Sequence, residues 1–310
     1  MGHADHSRLV KQAGLLGLVG NTPLIRLRNI TAKLPPSVEV WVKCESFNPG
    51  GSVKDRAASS IVRRALAEGK MDGDRRLLDA TSGNTGISYA WLGAHLGFEV
   101  TLCLPRNANA ERKRTLQAYG VELVLTDPLQ GSDGAILEAR RLAAEAPERF
   151  YYADQYGNEA NWQAHLESTG PEIWADTGGA VTHFVATLGT SGTFVGTSRF
   201  LKPKGVRCIS VEPDSPFHGL EGLKHMETAI VPPIYDASLA DRALGAPTEQ
   251  SLRLVRRIAR EEGLLVGVSS GAAVWAALEV ARELTEGVIV VMSPDGGDRY
   301  LSEAHVWEEE

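Results

Sequence analysis

Apolar and polar positions along this chain alternate between two periods. Short apolar runs rich in Val, Leu and Ile, at 38–44, 76–80, 99–104, 121–125 and 150–153, read as strands. Stretches with helical spacing, at 57–66, 87–96, 110–119 and 134–146, separate them. A polar segment over 154–161 interrupts the rhythm, which then resumes. Strands are expected at 183–186, 206–211, 264–268 and 288–292, and helices at 194–201, 248–262 and 272–284. Strands alternating with helices imply largely parallel sheets covered on both faces. The fold class expected is therefore α/β. A chain of 310 residues is long for one core, so two doubly wound parallel-sheet domains are predicted, at 1–158 and 159–310. Part of 20–45 is expected to pack with the second. The irregular stretch over 212–246 is too long for filler and reads as a lid or binding loop.

Composition narrows the class. A net charge of -7, from 32 basic and 39 acidic residues, argues against a nucleic-acid surface. Cys44, Cys103 and Cys208 are far apart and form no metal or disulfide spacing, and Cys44 and Cys103, each in an apolar strand-like run, read as small buried hydrophobes. Residues 1–19 read as an arm with an amphipathic piece at 9–18, and 308–310 as a solvated acidic tail. The N-terminus has no apolar signal core and no run reaches the roughly 18 apolar residues of a membrane span. The expected location is cytoplasmic, with no membrane and no nucleic-acid partner.

Four turns carry candidate chemistry. In Asn48-Pro49-Gly50-Gly51-Ser52-Val53-Lys54-Asp55-Arg56, turn formers deliver Lys54 to the mouth of a helix. The helix dipole there disfavours an ammonium and so favours the nucleophilic amine; the alternative is a solvated surface lysine. Thr81-Ser82-Gly83-Asn84-Thr85-Gly86, between strand and helix, gathers hydroxyls, an amide and backbone N–H groups, as a carboxylate site or as an ordinary helix cap. Gly189-Thr190-Ser191-Gly192-Thr193 reads as an uncharged phosphate cup. It lacks both the Gly-Lys-Ser/Thr ending of a nucleotide P-loop and the dinucleotide glycine spacing. In Ser269-Ser270-Gly271 a serine hydroxyl can bond a neutral ring nitrogen or cap a helix. Together the four describe pyridoxal 5'-phosphate holding an amino acid.

On these residues, with Gly20-Asn21-Thr22-Pro23-Leu24 and Asp298-Arg299-Tyr300-Leu301-Ser302, the chain resembles the fold-type II pyridoxal-phosphate enzymes, whose fold is tryptophan synthase β-like. The resemblance is specifically to the cysteine synthase family. Gly50-Gly51-Ser52, Glu111-Arg112-Lys113-Arg114 and Thr169-Gly170-Pro171-Glu172-Ile173-Trp174 look more like its B-type members. The resemblance implies that Lys54 forms the internal Schiff base and moves protons, and that Asn84 bonds the cofactor's ring hydroxyl. It places Thr81, Ser82, Thr85 and Gln155 on the substrate carboxylate, Gly189, Thr190, Ser191, Gly192 and Thr193 on the phosphate, and Ser269 at the pyridine nitrogen. Pro294-Asp295-Gly296-Gly297 stands where A-type enzymes carry a serine for that last role, which favours the B-type and Ser269.

The implied reaction is β-replacement through an aminoacrylate. L-cysteine or S-sulfocysteine would form from O-acetylserine or O-phosphoserine and sulfide or thiosulfate, and the resemblance implies a homodimer. Lys224, beside His225, is either a contact to an anionic substrate group or a solvated loop lysine. Other readings are a cystathionine β-synthase or serine/threonine dehydratase of the same fold and, from another class, a non-catalytic phosphate or nucleotide binder. A chain of 310 residues is expected to leave no room for regulatory modules.

Overall fold

The structure, a computed structural model, describes residues 14–72, 74–81 and 83–308. Most of the expected N-terminal arm, Ser82 and the last two residues of the acidic tail lie outside them. In chain order the elements begin β1 (Leu24–Arg26), β2 (Val38–Cys44), α1 (Lys54–Ala67), β3 (Arg76–Ala80), α2 (Asn84–Leu96) and β4 (Val100–Pro105). There follow α3 (Ala110–Ala118), β5 (Glu122–Thr126), α4 (Gly131–Glu145), β6 (Phe150–Tyr152), α5 (Glu159–Ala164) and α6 (Gly170–Asp176). The chain continues through β7 (His183–Thr187), α7 (Gly192–Leu201), β8 (Arg207–Pro213) and β9 (Arg242–Ala246). It closes with α8 (Thr248–Arg257), α9 (Val268–Ala281), β10 (Gly287–Ser293) and α10 (Ala304–Trp307).

The chain forms two compact units. Of the described residues, the first takes in 14–21, Asn48–Gly50 and those within 54–155; the second takes in Thr22–Phe47, Gly51–Val53 and 156–308. In the first unit four parallel strands run in the order β5-β4-β3-β6. Every residue of β4 is buried, as expected of a central parallel strand covered on both faces. Its Leu102 and Leu104, with Leu77, Leu78, Ile136 and Ala139, are among the buried side chains of this unit. Each such large side chain contributes roughly 1.5–3 kcal/mol by leaving water.

The second unit holds a six-stranded sheet in the order β1-β2-β10-β7-β8-β9, parallel except for β1, which pairs antiparallel with β2. Helix α9 is buried nearly all round, a fit to its run of small residues. A Cβ on its Gly271 would come 2.6 Å from Val255 Cγ2 of α8, so glycine sets how closely these helices approach. Lys43 of β2 is fully buried; its ammonium meets Thr22 O at 2.7 Å, Asp176 Oδ2 at 2.8 Å and Glu172 Oε2 at 3.0 Å. A buried charge persists only when paired in this way.

Two elements differ from the reading of the sequence. The strand expected over 264–268 is an isolated bridge between Val266 and Gly296, because α9 already begins at Val268. The stretch over 212–246 also contains β9, whose Arg-Ala-Leu-Gly-Ala sequence has no β-branched residue. It is a strand because it pairs in parallel with β8, from Ile209↔Arg242 to Pro213↔Ala246.

Candidate active site

The start of the lysine turn and the helix it opens are held by side chains of the first unit. Lys54 opens α1 and is half-buried, and its neighbour Asp55 is fully buried. The Asp55 carboxylate accepts the Gly50 N–H at 2.5 Å, the Ser88 hydroxyl at 2.6 Å and the Trp91 indole N–H at 2.9 Å. It thereby ties the start of α1 to α2. A Cβ on Gly50 would come within 2.7 Å of Trp91 Nε1, so only glycine fits against this cluster. Asn48 Oδ1 accepts the Gly20 N–H at 2.8 Å and steadies the approach to the turn. Sequence reading missed Ser88 and Trp91; one helical turn apart on α2, they share the face that meets Asp55.

The turn over 81–86, in the same unit, folds onto itself. Thr81 Oγ1 accepts the N–H groups of Gly83 at 3.1 Å and Gly86 at 3.2 Å, so its hydroxyl proton points to an acceptor elsewhere. Asn84 is the first residue of α2. Gln155 Nε2 donates to the Ala80 carbonyl at 2.5 Å, while Gln155 Oε1 accepts the Thr85 hydroxyl at 2.6 Å. Because a carbonyl only accepts, the Ala80 contact fixes which end of the amide is which, and Thr85 must spend its one proton on Gln155. Thr85 is thus an orienting hydroxyl, and Thr81 the hydroxyl with a proton to give. Ser82 lies outside the described residues.

Beneath this turn Asp79 is fully buried, accepting the Ala80 N–H at 2.8 Å and the Gln155 N–H at 3.2 Å. Burial pushes its carboxyl up to about 7, against the pull of these two N–H groups.

The cup over 189–193 belongs to the second unit, between β7 and α7. Ser191 holds φ at 68°, left-handed backbone that is uncommon outside glycine. Its hydroxyl is buried and has no hydrogen-bond partner among the described residues. Backbone approaches are tight: a Cβ on Gly189 would sit 2.6 Å from Gly222 O, and one on Gly192 2.6 Å from Asn161 Cγ. Thr190 Oγ1 accepts from Asn161 Nδ2 at 3.1 Å. Thr193 Oγ1 lies 3.3 Å from His165 Nε2, whose other ring nitrogen meets Thr169 Oγ1 at 2.8 Å. An unsatisfied hydroxyl in an uncharged cradle at the N-terminus of a ten-residue helix is suited to a small multivalent anion such as a phosphate group. Asn161 and His165, the cup's supports, carry no motif in the sequence.

Ser269 falls in the first turn of α9, not between strand and helix, and is 7% exposed. Ser270 beside it is spent on Ser293, Oγ to Oγ 2.8 Å, which singles out Ser269 as the hydroxyl for a ligand. In the same unit Lys224 is buried, its N–H donating to Leu188 O at 2.9 Å, one residue before the cup. Its ammonium lies 5.2 Å from the centre of the Tyr156 ring. A solvated loop lysine would not be placed so.

Comparison with known proteins follows the same lines. A family model described as "Pyridoxal-phosphate dependent enzyme" matches residues 15–295. A cysteine synthase from Aquifex aeolicus is 49% identical over 311 residues, covering 98% of this chain and 95% of that protein. Cysteine synthase B from Pseudomonas aeruginosa is 44% identical over 286 residues, covering 92% and 94%. The crystal structure of a cysteine synthase from Entamoeba histolytica superposes with a TM-score of 0.90 at 34% identity, over 96% of this chain and 92% of that one.

Proposed function

This chain belongs to the pyridoxal-phosphate dependent enzymes, as a homologue of the cysteine synthases, and on that footing we propose that it makes L-cysteine by β-replacement. The donor is O-acetylserine or O-phosphoserine and the nucleophile sulfide; thiosulfate as nucleophile would give S-sulfocysteine instead. The observation that carries this reading is the cup at 189–193, whose buried Ser191 hydroxyl lacks a partner that a phosphate oxygen supplies.

Bound there, the cofactor supplies an electron sink for the donor's α-carbon. The protein's part is to hold and to move protons. Gly189, Thr190, Ser191, Gly192 and Thr193 would hold the phosphate, Asn84 the ring hydroxyl and Ser269 the ring nitrogen. A serine at that nitrogen accepts or donates without forcing a charge on it, which suits elimination and replacement over transamination. Lys54 would carry the cofactor and take the α-proton, then return it. Thr81 would give its hydroxyl proton to the donor's carboxylate, with Thr85 and Gln155 keeping the turn in shape. Lys224, whose backbone is tied to Leu188 one residue before the cup, would contact an anionic group of the donor or nucleophile, the phosphate of phosphoserine or thiosulfate. No helix among the described residues is long and apolar enough to cross a membrane. We place the enzyme in the cytoplasm as a homodimer, which sedimentation of the purified protein tests.

The test of function is product formation with each donor and each nucleophile in turn. The reading expects cysteine from at least one donor with sulfide. A Lys224→Ala variant is expected to lose turnover of O-phosphoserine or thiosulfate selectively. Cystathionine from homocysteine, without cysteine from sulfide, would replace this reading with the cystathionine synthase one.

A further inference from the structure

Asp79 is a fully buried acid to which the roles above give no task. It sits at the end of β3, directly beneath the turn over 81–86, and its two oxygens accept the N–H groups of Ala80 and Gln155. The residue before Gln155, Asp154, is held at φ 46°, a bend that side-chain-bearing residues rarely adopt. The bond from Gln155 N–H to Asp79 ties down the chain just past that bend. From Gln155 the order passes outward, through Oε1 to the Thr85 hydroxyl and through Nε2 to the Ala80 carbonyl that precedes Thr81. We propose that Asp79 is a positioning residue for donor binding, fixing the Gln155 and Thr85 side chains at the carboxylate turn through the Gln155 N–H. The proposal rests on the reading of that turn as the donor's carboxylate site.

Its consequence is a pH dependence of donor affinity. An ionised carboxylate accepts an N–H bond more strongly than a neutral acid does. The titratable groups facing Asp79 are Tyr89 of α2, Cys103 of β4, Tyr152 of β6 and Asp154, and none of these is a cation that would keep it ionised. With burial holding Asp79 near 7, the grip on Gln155 weakens as the medium turns acidic through neutrality.

The experiment uses the holoenzyme and O-acetylserine, with wild type, Asp79→Asn, Gln155→Ala and the double variant. It reads half-saturation from the visible absorbance change, and KM and kcat from turnover, between about pH 6 and pH 8.5, bracketing Asp79's titration. An asparagine turns a donor or a weaker acceptor toward the Gln155 N–H. Above neutrality Asp79→Asn is expected to raise half-saturation about tenfold with kcat nearly unchanged. The double variant should match Gln155→Ala alone, and the Asp79→Asn penalty should shrink toward none as pH falls. Additive penalties, or one constant with pH, would overturn the positioning role. If Asp79→Asn fails to fold, wild type and Gln155→Ala are compared over the same range: half-saturation of wild type should rise as pH falls through about 7 while that of Gln155→Ala stays level, and a wild-type value that does not change with pH overturns the proposal. A wild type that gives no response to O-acetylserine removes the functional reading and this proposal with it. A responsive wild type with additive, pH-independent variants removes this proposal alone.

Discussion

The turn over 81–86 in the first unit and the cup over 189–193 in the second share one local grammar, strand to small polar turn to helix, yet they are supported in opposite ways. The first closes on itself: Thr81 takes two N–H groups of its own turn, and behind it Gln155, Thr85 and a buried carboxyl form a hydrogen-bonded network. The second leaves a buried hydroxyl without a partner and fixes its backbone by close packing against Gly222 O and Asn161. A group that stays bound can complete a site that is incomplete alone. A substrate that must enter and leave is better served by a turn that keeps its shape when empty. The difference teaches that residue types mark an anion site, while its supports show whether the anion is resident or exchanging.

The comparison can be broken at several points. Replacing Lys54 with Ala should lower turnover by about a thousandfold or more, the scale of a lost general base, while the phosphate cup still retains cofactor. Persistent phosphate in the unfolded-and-extracted variant protein, measured beside its lost turnover, checks this. Gly192→Ala should come next, because its Cβ would crowd Asn161 Cγ at 2.6 Å, and cofactor retention after dialysis is expected to fall roughly tenfold or more. Gly83→Ala in the other turn meets only Arg112 Nη1 at 3.1 Å, the far end of a flexible side chain, and should leave cofactor retention unchanged. Equal losses from the two glycine variants would erase the distinction.

A finer test uses Ser191→Ala. It removes a hydroxyl that has no protein partner, so the cofactor-free protein should keep or slightly gain thermal stability, whereas the loaded protein should lose about 1 kcal/mol. Loss in both forms would show that the hydroxyl is satisfied within the protein. A last effect is on stability against pH. The folded protein holds the Asp79 proton up to about 7, against an ordinary value of 3.8, so folded and unfolded chains differ in proton uptake between those limits. The group's contribution is fullest below that window and is lost as pH rises through it. Wild type should therefore lose stability relative to Asp79→Asn across the window and hold a constant difference above it, as denaturant unfolding at several pH values would show.

Much of the α/β fold was legible because apolar runs and helical spacing alternate so regularly, and β3, β4, β7 and β10 are apolar enough to announce themselves. Strand β9 was not, because parallel pairing with β8 creates it where propensity does not. The early start of α9 was hidden by an apolar Leu-Leu-Val run that reads equally as a strand. At the candidate site the turns themselves were legible, since hydroxyls and glycines between strand and helix leave a local mark. Their supports were not. Asp55 meets Trp91 36 positions away, Gln155 meets Asp79 76 positions away, and Asn161 meets Thr190 29 positions away. No window of the sequence holds both partners, so only the folded chain brings them together.

The central claim, a lysine-borne cofactor that takes an amino-acid donor and passes its β-carbon to sulfur, is tested most directly by visible absorbance. The purified protein would be titrated with O-acetylserine and, separately, O-phosphoserine, followed by sulfide. The account predicts a visible cofactor band that shifts on adding one of the donors and returns when sulfide is added, as cysteine accumulates. A protein that shows no band even after incubation with pyridoxal phosphate, or a band that neither donor moves, would contradict it.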